Sequence, residues 1–149
     1  MLLLLQQYKL DDWVYKAVDL FFDLFKEFWK NILSKGWGYI SKNPINFNDM
    51  LFVSGQIPLD PISNKLVDSG IVDETNMVMK NIDAILKEAN MSFDDIVKAS
   101  IFLKNMDDFN EVNEIYSRFF EEPYPSRETV EVSRLPKDAN IEISFIAGK

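Results

Sequence analysis

The amino-acid sequence predicts an α+β fold in which two helices lie on one face of a mixed β-sheet, with an additional amphipathic helix at the N-terminus. The chain has 149 residues, the length of one domain, and 47% of them are hydrophobic against 27% charged, which is enough for a full core. From residue 37 onward, short apolar runs with strand spacing alternate with longer runs of helix spacing. We therefore divide the chain into an N-terminal helical extension, residues 1–36, and one α+β domain, residues 37–149.

Residues 11–33 are predicted to form the N-terminal helix, and Gly36 stands where that helix would end. Lysines and acidic residues balance along this segment, so an anionic membrane is not favoured. The apolar stripe is expected to pack on its own domain or on neighbouring subunits, with a partner protein or a membrane surface as the alternatives. Its members recur at spacings of four and three: Val14, Val18, Phe21, Phe25, Phe28 and Ile32.

No secretory or membrane-spanning segment is predicted. The apolar start, residues 1–5, is shorter than a signal-peptide core and is soon followed by charged residues. The absence of cysteine is compatible with a reducing compartment. We expect a cytoplasmic protein, with an organelle as the alternative.

The first part of the domain is predicted to hold one strand and one helix. Residues 50–55 are a short apolar run that ends in glycine and leads into a loop rich in proline and aspartate. Residues 73–89 carry their apolar side chains on one helical face, and Asp73 or Thr75 is available as the N-cap.

The second part begins with Ser92 and Asp95, which match a capping box, and continues into an alternating strand over residues 96–104. Two further strands, residues 128–133 and 140–147, close the chain around a turn at 135–138. Before them, residues 107–120 are predicted to form a second helix whose inward side chains are Phe109, Val112, Tyr116 and either Phe119 or Phe120.

The composition removes several kinds of chemistry. The chain has no histidine and no cysteine, which excludes disulfides, thiolate nucleophiles, Cys/His zinc sites and imidazole acid-base catalysis. Any catalysis must therefore use carboxylates, Arg, Lys, Tyr, Ser, Thr or backbone dipoles. The net charge of −8 repels phosphate backbones, so nucleic acid is not a favoured partner.

Two charged residues of the last strands are candidates for a site. Glu142 lies between Ile141 and Ile143 and so faces the opposite side of its strand from them. Arg127 follows a turn and can offer its planar fork to a small carboxylate. The alternatives are that both are solvated surface charges or that they pair with each other.

Several segments resemble the RidA/YjgF family, also called L-PSP or UK114. They include residues 53–61 (VSGQIPLDP), 106–113 (MDDFNEVN), 116–120 (YSRFF) and above all 125–142 (PSRETVEVSRLPKDANIE). The similarity runs over about residues 47–147 with its order nearly unbroken. The resemblance implies a chorismate-mutase-like fold assembled as a homotrimer, with clefts between neighbouring subunits.

The activity that the resemblance implies is hydrolysis of reactive enamines and imines. Members of the family convert 2-aminoacrylate and 2-iminopropanoate to a 2-oxo acid and ammonia, as 2-iminobutanoate/2-iminopropanoate deaminases. They use no cofactor and no metal, which agrees with a chain that lacks His and Cys. The expected partners are therefore a small imine, enamine or 2-oxo acid and further copies of the chain.

By resemblance, Arg127 clamps the substrate carboxylate and Glu142 orients the attacking water. If Glu142 is partly buried, its pKa is expected to be raised, which would let it pass a proton to the leaving ammonia. The other pocket positions that the resemblance implies are Gly55, Thr129, Ser54, Asn113 and Tyr39.

Three departures from the family pattern concern the site. The N-terminal loop of the family is altered, so Tyr39 is only a candidate for the pocket tyrosine; Thr129 stands where a cysteine is frequent; and the chain is about three residues shorter before Arg127. Two other functions remain as alternatives to catalysis on imines. One is a non-catalytic ligand-binding or interaction module of the same fold, and the other is a ribonuclease or translation inhibitor, which the net charge disfavours.

Overall fold

The computed structural model describes residues 45–149. The predicted N-terminal helix, the altered loop and Tyr39 lie outside these described residues. Within them, no helix is long and apolar enough to cross a lipid bilayer.

Within residues 45–149, the strands are β1 (Ile45–Phe47), β2 (Met50–Gln56), β3 (Ile96–Leu103), β4 (Ser126–Glu131) and β5 (Ile141–Gly148). These five strands form one mixed sheet in the order β1-β2-β5-β3-β4. Only β3 and β4 pair in parallel, and the other neighbours are antiparallel. The last strand therefore lies in the middle of the sheet, and β3 separates it from β4.

Two α-helices, α1 (Ile71–Glu88) and α2 (Phe109–Ser117), cover one face of this sheet, as the sequence predicts. The core between them is a single apolar cluster. Because its members are fully enclosed, their burial supplies the main stabilising term of the fold. The largest of these side chains are Leu51, Met79, Ile82, Leu86, Ile101, Leu103, Ile141 and Ile143.

Helix α1 begins two residues before the predicted start. Gly70 is its N-cap and has a φ of 112°, a conformation that glycine adopts without a side-chain penalty. Of the two predicted caps, Asp73 lies in the first turn, and Thr75 is buried with its hydroxyl donating to the Ile71 carbonyl at 2.7 Å. The prediction of an Asp73 or Thr75 cap is therefore wrong, because the helix begins at Ile71 and both residues lie inside it.

The capping box is confirmed, since the backbone N–H of Ser92 donates to the Asp95 carboxylate at 2.7 Å. Helix α2 is shorter than predicted and is preceded by a 3₁₀ turn, Met106–Asp108. Its inward side chains are as expected: Val112, Tyr116 and Phe120 are buried, and Phe109 and Phe119 are partly buried against the core.

The two faces of the sheet differ. Along β5, buried residues alternate with partly buried ones, which is the pattern of a strand covered on one face only. The helix-covered face carries Ile143, Phe145 and their neighbours. The other face, here called the open face, carries Glu142, Ser144 and Ile146, and across β3 it continues through Phe102.

Candidate functional site

Glu142 lies on the open face at the beginning of β5. Its cross-strand neighbour is Phe102, and Ile141 and Ile143 on either side of it are buried in the core. Because those two side chains fix the register of the strand, the carboxyl group of Glu142 is held on the opposite face.

The backbone of Gly55 lies directly against the Glu142 carboxyl group. The pairing of β2 with β5 is irregular between Val53 and Gln56, so Ser54 and Gly55 form a bulge at this place. A Cβ atom at Gly55 would overlap the carboxyl group of Glu142. Only glycine allows this close approach of backbone and carboxylate.

The Glu142 carboxyl is partly buried, and this burial raises its pKa above the ordinary value for glutamate. The raised pKa agrees with the expectation from the sequence. Within residues 45–149, no lysine or arginine forms an ion pair with it. Desolvation is therefore not offset by a cation, and the group is suited to accept and release a proton.

Arg127 lies on β4 and points to the helix-covered side of the sheet. It is paired with Ala99 of β3, which is buried beneath the helices. Its Nη1 donates to the Oδ1 of Asn113 on α2 at 2.7 Å. The guanidinium carbon also lies over two rings of the same helix, 5.0 Å from the centroid of Tyr116 and 5.9 Å from that of Phe109.

Tyr116 is buried, and its hydroxyl has no hydrogen-bond partner among the described residues. Burial raises the pKa of this phenol to about 12, while the positive charge of Arg127 acts in the opposite direction. The phenol group is therefore neutral at physiological pH. The face of the ring, rather than the hydroxyl, contacts the arginine.

The predicted site residues fall into two groups within one protomer. Thr129 lies two residues after Arg127 on the same side of β4, and with Asn113 they form what we call the arginine half-site. Glu142, Gly55 and Ser54 form what we call the glutamate half-site.

The two half-sites lie on opposite faces of the sheet. In the register of β3, Arg127 is aligned with Ala99 and Glu142 with Phe102. The two residues are therefore roughly 10 Å apart along the strands and about 10 Å apart across them. The alternative that Arg127 and Glu142 pair with each other within one chain is wrong, because an intervening strand and the sheet itself separate them.

Phe109 and Tyr116 were expected only as core residues, yet they contact Arg127. The signal for their role was present in the sequence. Asn113 is four residues after Phe109 and three before Tyr116. This spacing puts the amide of Asn113 on the same helical face as the two aromatic side chains. No cluster of three potential metal ligands occurs among residues 45–149.

Comparison with known proteins extends these observations. Residues 38–149 match the family model described as Endoribonuclease L-PSP. The chain is 48% identical over 105 residues to a RutC family protein of Pyrococcus horikoshii, covering 70% of this chain and 83% of that protein. It is 41% identical over 97 residues to the human protein named 2-iminobutanoate/2-iminopropanoate deaminase, covering 65% of this chain and 71% of the human one.

The fold also matches solved structures. The crystal structure of YyfA from Yersinia pestis, a protein of the conserved Rid family, superposes with a TM-score of 0.71 at 45% identity. The match covers 74% of this chain and 88% of that one. The mixed sheet with two helices on one face is therefore shared with that protein.

Proposed function

This chain belongs to the L-PSP (RidA/YjgF) family, and on that premise we propose that it hydrolyses reactive imines of small 2-amino acids. The substrates are 2-iminopropanoate and 2-iminobutanoate, together with their enamine tautomers such as 2-aminoacrylate. The products are the 2-oxo acid and ammonia. The observation that supports this proposal most directly is an arginine held only by neutral groups, together with a carboxyl group of raised pKa against a glycine backbone.

Arg127 is the residue that binds the substrate carboxylate. A guanidinium has five N–H donors, and Asn113 takes one of them. Within residues 45–149 no carboxylate pairs with this guanidinium, whereas Arg118 pairs with Glu114 and Arg134 lies beside Asp138. The positive charge and the remaining donors of Arg127 are thus available for a planar, bidentate contact with an anion.

Glu142 is the residue that handles the protons of the reaction. The water oxygen attacks C2 of the imine, and the carboxylate of Glu142 accepts a proton from that water. Glu142 passes that proton to the nitrogen, which gives a carbinolamine. The hydroxyl oxygen then forms the C2=O bond as the C2–N bond breaks, and the hydroxyl proton, carried by Glu142, leaves with the nitrogen as ammonia. An enamine substrate first takes a proton at C3 and loses one from nitrogen. A raised pKa suits both steps, because it makes the carboxylate a stronger base toward the water and keeps the carboxyl protonated for a larger fraction of the time, so that it holds a proton to return to the nitrogen.

The active site is shared between two protomers of a homotrimer. The carboxylate and the imine carbon of the substrate are joined by one bond, so the groups that hold them must lie within a few ångströms of each other. The half-sites of one chain lie on opposite faces of its sheet, and therefore the arginine half-site of one protomer must meet the glutamate half-site of another.

The surfaces of the chain support such an assembly. Strand β4, which carries Arg127, is an edge strand with one side unpaired by any described residue. The open face beside Glu142 exposes large apolar side chains, Phe52 by 41% and Val130 by 42%. Exposed large apolar groups on a sheet face are typical of a surface that another chain covers.

The same experiments also test two other functions. A ligand-binding module would bind a 2-oxo acid in this cleft without accelerating imine hydrolysis. The family description also names an endoribonuclease. A ribonuclease with a net charge of −8 would need a local basic patch for the phosphate backbone, and its RNA binding would weaken steeply with salt.

The test measures imine decay directly. A dehydratase that acts on serine or threonine generates 2-aminoacrylate or 2-iminobutanoate in situ, and ammonia release is followed with and without this protein. We expect a faster release that Arg127→Ala abolishes and Glu142→Gln reduces by about 10²-fold or more. An unchanged decay rate, with a 2-oxo acid still bound, would establish the ligand-binding module instead.

Matched controls come from charged residues outside both half-sites. Arg134→Ala removes an exposed arginine near the end of β4, and Glu88→Gln removes an exposed glutamate of α1. Both variants are expected to keep full activity. The ribonuclease would be favoured if the parent protein cleaves RNA, Arg127→Ala does not, and neither protein changes the rate of imine decay.

A further inference from the structure

The aromatic rings beneath Arg127 are the feature on which this inference depends. Tyr116 and Phe109, here called the aromatic platform, lie on α2 on either side of Asn113 in the sequence. The guanidinium carbon of Arg127 is 5.0 Å from the Tyr116 centroid and 5.9 Å from the Phe109 centroid. Both distances are within the range in which a cation is attracted to the face of a ring.

The platform holds the arginine without neutralising its charge. An aromatic face attracts a cation through its quadrupole and carries no net charge, and Asn113 is a neutral acceptor. A carboxylate in the same place would hold the guanidinium more strongly but would compete with an incoming anion. The N–H donors lie in the plane of the guanidinium, so a ring that contacts its face leaves them free.

The ring of Tyr116, and not its hydroxyl, is the part that acts on Arg127. Among the described residues, the hydroxyl has no hydrogen-bond partner although it is buried. The pKa of the phenol is raised to about 12, so no phenolate forms that would pair with the arginine. The side chain is fixed from below by packing, since its ring lies 4.5 Å from that of Phe120.

We propose that Tyr116 is a positioning residue whose ring face, together with Phe109, directs the guanidinium of Arg127 toward the carboxylate of a small 2-oxo or 2-imino acid. This inference rests on the proposed function and deepens it, because it names a residue that sets the affinity for the substrate carboxylate without touching the substrate.

The test varies the electron density of the ring at nearly constant volume. Tyr116→Phe keeps the face and removes the hydroxyl, and the same position then receives phenylalanines with one, two and five fluorine atoms. Fluorine withdraws electron density from the face and weakens its attraction for a cation. The probe is 2-oxobutanoate, whose Kd is measured by calorimetry.

We expect the Kd of Tyr116→Phe for the probe to lie within about twofold of the parent value. With increasing fluorination the Kd should rise stepwise, to roughly tenfold above the parent value in the most fluorinated variant. KM for the imine should rise in the same order, while kcat changes little, because the lost interaction holds the carboxylate in ground state and transition state alike. A role in packing alone would give no such trend. Tyr116→Leu, which keeps an apolar side chain without a ring, should resemble the most fluorinated variant.

Phe119 provides the matched control. It is partly buried, follows α2, and contacts the ring of Phe93 at 4.9 Å rather than Arg127. The same fluorinated residues at Phe119 should leave the Kd unchanged. Should Tyr116→Leu fail to fold, the fluorinated series still decides the matter because each member retains the aromatic volume.

The binding of 2-oxobutanoate to the Arg127 and Tyr116 variants separates the role of Tyr116 from the proposed function. If Arg127→Ala leaves 2-oxobutanoate binding intact, the carboxylate-binding role of the arginine is wrong and the proposed function fails with it. If Arg127→Ala abolishes binding but the fluorinated series at Tyr116 shows no trend, the proposed function stands and the positioning role of Tyr116 is overturned.

Discussion

Arg127 and Glu142 project from opposite faces of one β-sheet, with the whole of strand β3 between the strands that carry them. Each has its own supporting structure: aromatic rings and an amide under the arginine, and a glycine bulge beside the glutamate. Among residues 45–149, neither Arg127 nor Glu142 has an oppositely charged partner. In the proposed homotrimer, each of these two half-sites is completed by a neighbouring chain.

Mixing two inactive variants should restore activity. Arg127→Ala retains an intact glutamate half-site, and Glu142→Gln retains an intact arginine half-site. When equal amounts are unfolded and refolded together, about a quarter of the inter-subunit sites combine two intact halves. We expect imine hydrolysis at about that fraction of the parent rate. Activity that stays at zero in verified mixed trimers would mean that both residues act from the same chain.

Gly55→Ala should inactivate the enzyme while the fold persists. The added methyl group overlaps the Glu142 carboxyl group, which must move away from the bulge. A displacement of about one ångström in a reacting group costs on the order of 10²-fold in rate, and this loss should appear in kcat/KM. The control is Gly148→Ala on β5, whose methyl group meets the flexible side chain of Met50 instead. Equal losses in both variants would contradict a specific contact with Glu142.

The pH dependence should reveal the burial of Glu142. Burial raises the pKa of this carboxyl above the ordinary value for glutamate, so the base is protonated and lost as pH falls through the raised pKa. The fall of kcat/KM on the acid side should therefore lie at a higher pH than the titration of an unperturbed glutamate. Glu142→Gln should eliminate this limb of the profile.

The same shift has a consequence for stability, with a definite sign. A carboxyl whose pKa is raised in the folded state favours its neutral form there, so folding loses stability as pH rises from the unfolded pKa through the folded pKa. Glu142→Gln should therefore be more stable than the parent to urea at pH 7, and this difference should vanish at pH 3 to 4. A variant less stable than the parent at pH 7 would show that the carboxylate is stabilised by a partner in the assembly.

Glu74 should prove to be a structural carboxylate that anchors the start of β5. It is buried on α1 and accepts hydrogen bonds from the backbone N–H of Asn140 at 3.0 Å and from its side-chain amide at 2.5 Å. Glu74→Ala leaves both donors without a partner and should lower the free energy of unfolding by about 3 kcal/mol. Urea denaturation measures this loss, and Glu88→Ala on the exposed side of the same helix should change it by less than about 0.5 kcal/mol.

The local pattern of the sequence predicted the orientation of each side chain on its own strand. Isoleucines at 141 and 143 alternate with Glu142, and this period of two is sufficient to put the glutamate opposite the core. The capping box at Ser92 and the inward face of α2 followed in the same way, because the residues that make these features are three or four apart.

The spatial order of the strands could not be predicted from spacing. Residues 128–133 and 140–147 are consecutive strands in the sequence, yet β5 inserts between β2 and β3 and leaves β4 at the edge. That order depends on pairing between segments far apart in the chain. The opposite orientation of Arg127 and Glu142, and the contact between Gly55 and Glu142, both follow from it and required the structure. The contact of Tyr116 with Arg127 was missed for a different reason, since an aromatic residue at helical spacing is first of all a core residue.

The position of β5 also determines when this sheet can form during biosynthesis. The strand at the centre of the sheet is the last of the five to be translated, and until it emerges β2 and β3 have no common neighbour. A ribosome-bound chain that ends before residue 141 therefore exposes bare strand edges and uncovered core, which are the surfaces that molecular chaperones bind. Folding of this domain is consequently a late event on the ribosome, completed only when the segment that carries Glu142 has left the exit tunnel.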